Sequence, residues 1–417
     1  MTSPVWHPFT QHGLNEAIPQ VDRAEGAVIH CADGRSLIDG ISSWWVTTHG
    51  HCHPRIAAAI ADQAAKLDQV IFAGYTHAPA EDVARGLIDI APPGLAHVFY
   101  SDSGSTAVEV ALKMALGYWH NVAEGRRVSI LVMEHSYHGD TIGAMSVGER
   151  GAFNRAYAPL LFDVVTIPFP AAGREQATLD ALEAACAAQP AAFIVEPLVL
   201  GAGGMLMYPP PLLRAMADIC ARHDVLFIAD EVMTGWGRTG TLFACEQAGV
   251  QPDILCVAKG LTGGAIPLAA TLATPRIFAA HRSEDRARMF FHSSSFTANP
   301  IACAAAAANL AIWREEDVPG RIAALAGRLT AGLARLSPDH FTGHRQTGAI
   351  AAVDLKAGED GYLSSVAPVL RAFFLDRGIL LRPLGNTIYL MPPYCTDAQQ
   401  IDRMFDAIAE AGARFAV

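Results

Sequence analysis

The sequence predicts an α/β protein: a large domain on a mainly parallel seven-stranded sheet, plus a smaller α+β domain contributed by both termini. Three observations predict it. From about residue 97, seven short β-branched and aromatic runs alternate with longer helical stretches. Those runs are continuously apolar, as strands covered on both faces are. The last hundred residues change character, mixing two amphipathic helices with two further strand-like runs. The expected boundaries are 1–41 for the N-terminal part of the small domain, 42–315 for the large domain and 316–417 for the rest of the small one.

In chain order, "WWVTTHGHCHP" at 44–54 comes first. Side chains of an extended chain alternate between faces, so His49, His51 and His53 would share one side and could surround a metal ion, with Cys52 among them. The alternative is a pocket wall leading into a helix start. The seven strand candidates follow: "HVFYSDSG", "VSILVMEH", "DVVTIPF", "AAFIVEP", "VLFIADEV", "DILCVAKG" and "LAATLAT". Several end in polar or glycine-containing clusters, namely Ser101 to Ser105, Glu134 to Asp140, Glu196, Asp230, and Lys259 with Gly260. In open α/β sheets ligands bind beyond the carboxyl ends of the strands, so these clusters should converge on one crevice. "PIACAAAAANLAIW" is too short and alanine-rich to span a membrane and reads as a packed core helix. "RIAALAGRLTAGLARL" and "SVAPVLRAFFLDRG" read as helices of the small domain, and "GAIAAVDL" and "TIYLMPPY" as its strands.

Composition narrows the function. With 51% hydrophobic and 17% charged residues in 417, the chain can bury a deep core. A formal net charge of -11 without a lysine or arginine run offers nothing to nucleic acid or an anionic membrane, which favours a small-molecule partner. "MTSPVWHPFT" lacks the basic and apolar regions of a signal peptide, and the eight cysteines include no Cys-x-x-Cys pair. A cytoplasmic protein with reduced cysteines is expected.

The chemistry centres on Asp230 and Lys259. A lysine at a strand end beside glycines is free to form an imine, and burial would lower its pKa toward nucleophilic values. An aspartate one strand away could hold the protonated ring nitrogen of a pyridine cofactor. Taken singly, a loop-capping aspartate and a solvated lysine are the plainer readings, so the pair needs support. "YSDSGSTAVEVALKMAL" supplies some: Ser103 to Thr106 lie at a strand-to-helix junction, where unpaired N–H groups favour an anion. Gly104 permits close approach to a phosphate and Ser105 offers a hydroxyl, although a plain serine N-cap remains open. The glycine spacing and lysine of a nucleotide P-loop are missing. In "MEHSYHGDT", Tyr137 could stack on a cofactor ring, or be a half-buried loop tyrosine.

"IADEVMTGWGRTG" followed by "AKGLTGG", with "SDSGSTAVEVALKMA" and "SYHGDT" upstream, resembles the class III pyridoxal-phosphate aminotransferases of fold type I. More narrowly, "WHPFT", "DGISSWWVTTHGHCHP", "FAGYTHAPA", "LFACEQAGVQPDILC", "TANPIACAAA" and "RPLGNTIYLMPPY" resemble the branch of that class acting in biotin biosynthesis. The likeness runs from Trp6 to about Tyr394.

The resemblance implies pyridoxal 5'-phosphate as cofactor and no metal. It implies a ping-pong transfer of an amino group from S-adenosyl-L-methionine to 8-amino-7-oxononanoate, giving 7,8-diaminononanoate. By similarity Lys259 joins the cofactor and moves the proton, Asp230 pairs with the pyridine nitrogen, and Gly104 and Ser105 bind phosphate. Tyr137 lines cofactor and substrate, Trp44 walls the substrate pocket, and Arg382 clamps a substrate carboxylate. Ser293, Ser294 and Ser295 stand where the family uses glycine for substrate, then proline and threonine for cofactor. Ser295 keeps a hydroxyl for phosphate, a contact that in the family crosses the interface of a homodimer. Phe9 stands where the biotin branch often has a tyrosine that recognises substrate. Some relatives take lysine as donor, so lysine is one alternative, and a general ω-amino acid or diamine aminotransferase, or an aminomutase, another. Outside the family stands a metal-dependent protein using His49, His51 and His53.

Overall fold

The structure, a computed structural model, describes residues 3–14, 16–122, 126–358, 361 and 363–417. Its large sheet contains β1 (His97–Ser101), β2 (Ile130–Met133), β3 (Val165–Ile167), β4 (Ala192–Val195), β5 (Leu226–Asp230), β6 (Ile254–Val257) and β7 (Ala269–Ala273). The spatial order is β1-β7-β6-β5-β4-β2-β3, so the sheet is seven-stranded as the apolar runs predict. Only β7 is antiparallel to its neighbours, β6 and β1. The other pairs are parallel.

Strand residues alternate between two apolar clusters, which is why the runs lack polar alternation. Ile130, Val132, Ile194, Ile228 and Cys256 pack with the helix Gly104–Val122 on one face. Leu131, Met133, Phe193, Phe227 and Leu255 pack into the larger cluster on the other. That cluster takes in the helices Pro210–Arg222 and Pro300–Glu315. The alanine-rich run is therefore a core helix; it packs against Pro54–Lys66 and Ala78–Ile90, where small side chains allow close approach.

Chain ends meet in two smaller sheets. Val21–Glu25, Val28–Cys31 and Ser36–Asp39 form an antiparallel meander, to which Ile379–Leu380 adds in parallel. Phe341–Thr347, Ile350–Leu355 and Thr387–Leu390 form the other. The helices Val318–Ala334, Val366–Asp376 and Ala398–Phe415 accompany them. Pairing of Ile379 with Ile38 brings the segment before Arg382 beside the one before Trp44.

Candidate active site

Parallel strands release their carboxyl ends on one side of a sheet. Ala229 of β5 lies opposite Val195 of β4 and Leu255 of β6, so Glu196, Asp230 and the Lys259 turn leave adjacent strands together. β1 and β2 deliver the Ser101–Ser105 and His135–Asp140 segments to the same side. One cavity of about 360 Å³ results, lined by Gly104, Ser105, Tyr137, Asp230 and Lys259, with Phe9, Trp44 and Arg382 at its wall.

Lys259 begins a single 3-10 turn, Lys259–Thr262, with φ +47, a left-handed backbone uncommon for a side-chain-bearing residue. Its Nζ stands 4.7 Å from the centre of the Trp45 ring. Among the described residues it has no hydrogen-bond or ion-pair partner. Burial pulls its pKa down to about 8, against the attraction of Asp230 and Glu196.

Asp230 is buried at the end of β5, and its Oδ2 lies 2.7 Å from Nδ1 of His138. Its Oδ1 accepts from the Val232 N–H at 3.1 Å. Burial alone lowers the His138 pKa, but the hydrogen bond and charge of Asp230 outweigh it and hold it above the ordinary value. The buried contact with Asp230 thus favours the charged form of the His138 ring. Glu196, also buried, accepts from the N–H groups of Tyr137 and Gly201 at 3.0 Å each. Its carboxyl is pushed up to about 7 by burial. Burial, then Asp140, raises the Tyr137 hydroxyl above its usual value.

Gly104 and Ser105 open a 19-residue helix, whose first N–H groups have no acceptor within the helix. A Cβ on Gly104 would come within 2.6 Å of Val232. The Asp140 N–H donates to Ser105 Oγ at 3.2 Å. Gly139, at φ +133, has no room for a Cβ beside Ser105. The Tyr137–Asp140 loop is therefore pressed onto the helix start.

At the wall, Trp44 follows Ser42 and Ser43, both with positive φ, and precedes Trp45, also positive. Asp39 holds this turn by accepting from the N–H groups of Ile41 at 3.1 Å and Ser43 at 2.6 Å. Trp45 is buried and donates from Nε1 to the Tyr389 hydroxyl at 2.9 Å. Phe9 packs edge-on against Trp44 and Phe153, at 5.7 and 6.1 Å between ring centres. The Arg382 guanidinium lies 5.2 Å from the Trp44 ring and donates to the Phe9 carbonyl at 3.2 Å. Among the described residues it meets no carboxylate.

Ser293, Ser294 and Ser295 do not line this cavity. Ser293 and Ser295 are exposed, and the Ser294 hydroxyl donates to Asp102 at 3.0 Å. Within one chain, the substrate and cofactor contacts expected of them are not made, because their segment lies on the outer surface.

The histidine run does not form a cluster. His49 Nε2 is 2.8 Å from Asn309 Oδ1, His51 Nε2 is 2.8 Å from Asp39 Oδ2, and His53, at the N-cap position of Pro54–Lys66 without a side-chain capping bond, meets the His49 ring edge-on at 5.9 Å. Strict alternation fails because Gly50 and Cys52 have positive φ, which turns the chain at each. Among the described residues, no group of three or more His, Cys, Asp or Glu side chains could hold a metal.

His138, Glu196, Asp140 and Phe153 line the cavity without having been given roles from sequence. His138 had one signal, its place in the loop after a strand. Nothing in its spacing pointed to Asp230, 92 residues away.

A sheet of this topology, with lysine and aspartate at neighbouring carboxyl ends, defines the fold type I pyridoxal-phosphate transferases. The family Aminotransferase class-III matches residues 10–411, and the chain belongs to it. It is 48% identical to the adenosylmethionine-8-amino-7-oxononanoate aminotransferase of Synechococcus elongatus, over 97% of each chain. The crystal structure of the adenosylmethionine-8-amino-7-oxononanoate aminotransferase from Methanocaldococcus jannaschii superposes with TM-score 0.94 at 33% identity, covering 99% of this chain and 98% of that one. A PLP-bound amine transaminase from an uncultivated Pseudomonas species reaches 0.93 at 32%, over 100% of both chains.

Pyridoxal 5'-phosphate is the cofactor of this class, and the residues fit it. An amine without a partner, a buried carboxylate and a glycine-opened helix start surround one cavity. They match an aldehyde, a ring nitrogen and a phosphate.

Proposed function

We propose that the chain transfers an amino group from S-adenosyl-L-methionine to 8-amino-7-oxononanoate, giving 7,8-diaminononanoate for biotin synthesis in ping-pong order. The observation that carries the reading is Arg382, a guanidinium without a carboxylate that shares an aromatic-walled cavity with the Lys259 amine. An acceptor with a keto group near one end and a carboxylate at the other suits that pair. The 48% identical relative bears the name of this reaction.

When bound, pyridoxal phosphate supplies an electron sink and the carbon that carries the amino group between substrates. Lys259 takes the proton from the donor α-carbon and returns one to the acceptor, and its lowered pKa leaves a usable neutral fraction near pH 7. Asp230, oriented by its hydrogen bond with His138, would hold a proton on the ring nitrogen. Gly104 and Ser105 take the phosphate at the helix start. Tyr137 covers the ring, and Trp44 and Phe9 wall the substrate space. Phe9, packed between Trp44 and Phe153 without a hydroxyl, favours one second reading, lysine as donor.

The proposal includes a homodimer in which Ser293, Ser294 and Ser295 reach the other subunit's site. The exposed Phe291 and Phe296 beside them support an interface there. The domain boundaries 1–41, 42–315 and 316–417 are proposed on the pairing of Ser36–Asp39 with Ile379–Leu380. A cytoplasmic location rests on eight free cysteines. Among the described residues, no helix is long and apolar enough to cross a membrane.

The test supplies the loaded enzyme with 8-amino-7-oxononanoate and S-adenosyl-L-methionine, lysine or a diamine in turn, and measures diaminononanoate. Product with S-adenosyl-L-methionine is expected. Product with lysine alone moves the donor, and none with any donor overturns the assignment.

A further inference from the structure

The histidine run is left without a chemical role by the reaction, yet His49 is buried and its ring is tied to the middle of a core helix. Asn309, 0% exposed within Pro300–Glu315, donates both protons of its Nδ2, to the carbonyls of Gly260 and Leu261 at 3.0 Å each. Its Oδ1 is thereby fixed as an acceptor, so the His49 nitrogen 2.8 Å away carries the proton. Gly260 and Leu261 are the two residues after Lys259, in the turn that Lys259 enters at φ +47.

We infer that Asn309, oriented by the Nε2–H of His49, is a positioning residue that anchors the turn after Lys259, keeps Lys259 in its left-handed backbone and so aims the Lys259 amine into the cavity.

Neighbouring contacts converge on the same turn. The Thr48 N–H donates to the Gly263 carbonyl at 3.3 Å, tying the His49 segment to the turn directly. Thr262 Oγ1 donates to the Ile266 carbonyl at 2.6 Å. A Cβ on Gly260 would lie 2.7 Å from Trp236, so the turn is packed closely on its other side. The Gly263 N–H closes the turn on the Gly260 carbonyl at 2.9 Å, and Asn309 ties that carbonyl and the Leu261 carbonyl to the core helix with one amide. A left-handed residue with a side chain costs on the order of 1 kcal/mol or more and persists where surroundings over-determine it. Burial pulls the His49 pKa down to about 4, so its ring stays neutral and its donor persists across the working pH range.

The inference rests on the proposal that Lys259 is the reacting lysine, and the test separates the two. His49→Phe keeps the ring volume and removes the donor, His49→Gln restores an N–H, and Asn309→Ala removes the clamp; Lys259→Ala is the control. Each is loaded with pyridoxal 5'-phosphate, and the pH midpoint of its visible band, kcat, KM and melting temperature are read. His49→Phe and Asn309→Ala are expected to move the band midpoint by about half a pH unit or more. They are also expected to lower kcat about tenfold or more with KM little changed, and His49→Gln to recover most of both. If Asn309→Ala does not fold, the His49 pair carries the test. Folded His49→Phe with parental midpoint and kcat and only a lower melting temperature overturns the inference. A band that survives in Lys259→Ala would overturn instead the role of Lys259.

Discussion

Lys259 differs from a surface lysine in its left-handed backbone and in an amine pulled down to about 8 by burial. At pH 7 about one such amine in ten is neutral, against fewer than about one in a thousand at the ordinary value. Uptake of pyridoxal phosphate by cofactor-free protein should therefore quicken about tenfold from pH 7 to pH 9 and then level. The sign follows because the neutral amine is the nucleophile; an unshifted lysine would gain about a hundredfold over that span and keep climbing. Growth of visible absorbance in stopped flow distinguishes the two. Arg382 is proposed to act on the other end of the acceptor, its carboxylate. Replacing it by leucine should raise KM for 8-amino-7-oxononanoate about tenfold or more, from the loss of a charge-assisted hydrogen-bonded pair. The visible band of that variant should stay as in the parent, and an unchanged KM would remove Arg382 from substrate binding.

The turn Ser42–Trp45 carries three positive-φ residues, and its geometry depends on the Asp39 carboxylate, which also meets His51. Asp39→Ala should destabilise the protein by about 2 kcal/mol, because one buried and one part-buried N–H lose their acceptor. Denaturant midpoints measure this, and a change under about 0.5 kcal/mol would mean the turn holds itself. KM should rise in the same variant, since Trp44 is presented by that turn. The seven strands were legible in sequence, because burial on both faces demands unbroken apolar runs. The Ser42–Trp45 turn was not legible. Its conformation is imposed by Asp39 and by the Met391 carbonyl, which accepts from Ser42 Oγ at 2.7 Å.

At the scale of the whole molecule, the proposed dimer makes a prediction about two impaired parents. Ser295→Ala should weaken pyridoxal phosphate binding about tenfold or more, the value of one hydrogen bond to a charged group. If Ser295 serves the neighbouring site, a mixed dimer of Lys259→Ala and Ser295→Ala subunits contains one site with both residues intact. Titration of mixed dimers should then recover one tight site per pair. Recovery of none would place Ser295 in its own subunit's site, and parental binding by the Ser295→Ala dimer would place it outside the cofactor site. Sedimentation gives the companion measurement, a species of twice the 44.3 kDa chain mass.

Sequence by itself determined the strand set and the core helices, and it singled out Lys259, Asp230, Gly104 and Ser105. Each of those features is local: an apolar run or a polar residue at a strand end, read within about ten positions. Only the tertiary structure decided that His138 locks Asp230, that Arg382 lies against Trp44, and that His49 pairs with Asn309 while His51 turns to Asp39. These pairings join residues 92, 338 and 260 positions apart, counting Asp230 from His138, Arg382 from Trp44 and Asn309 from His49. Chain spacing carries no information about such distances. They are set by where the sheet order places each strand end and by backbone turns at Gly50, Cys52 and Lys259 that packing, not local preference, maintains.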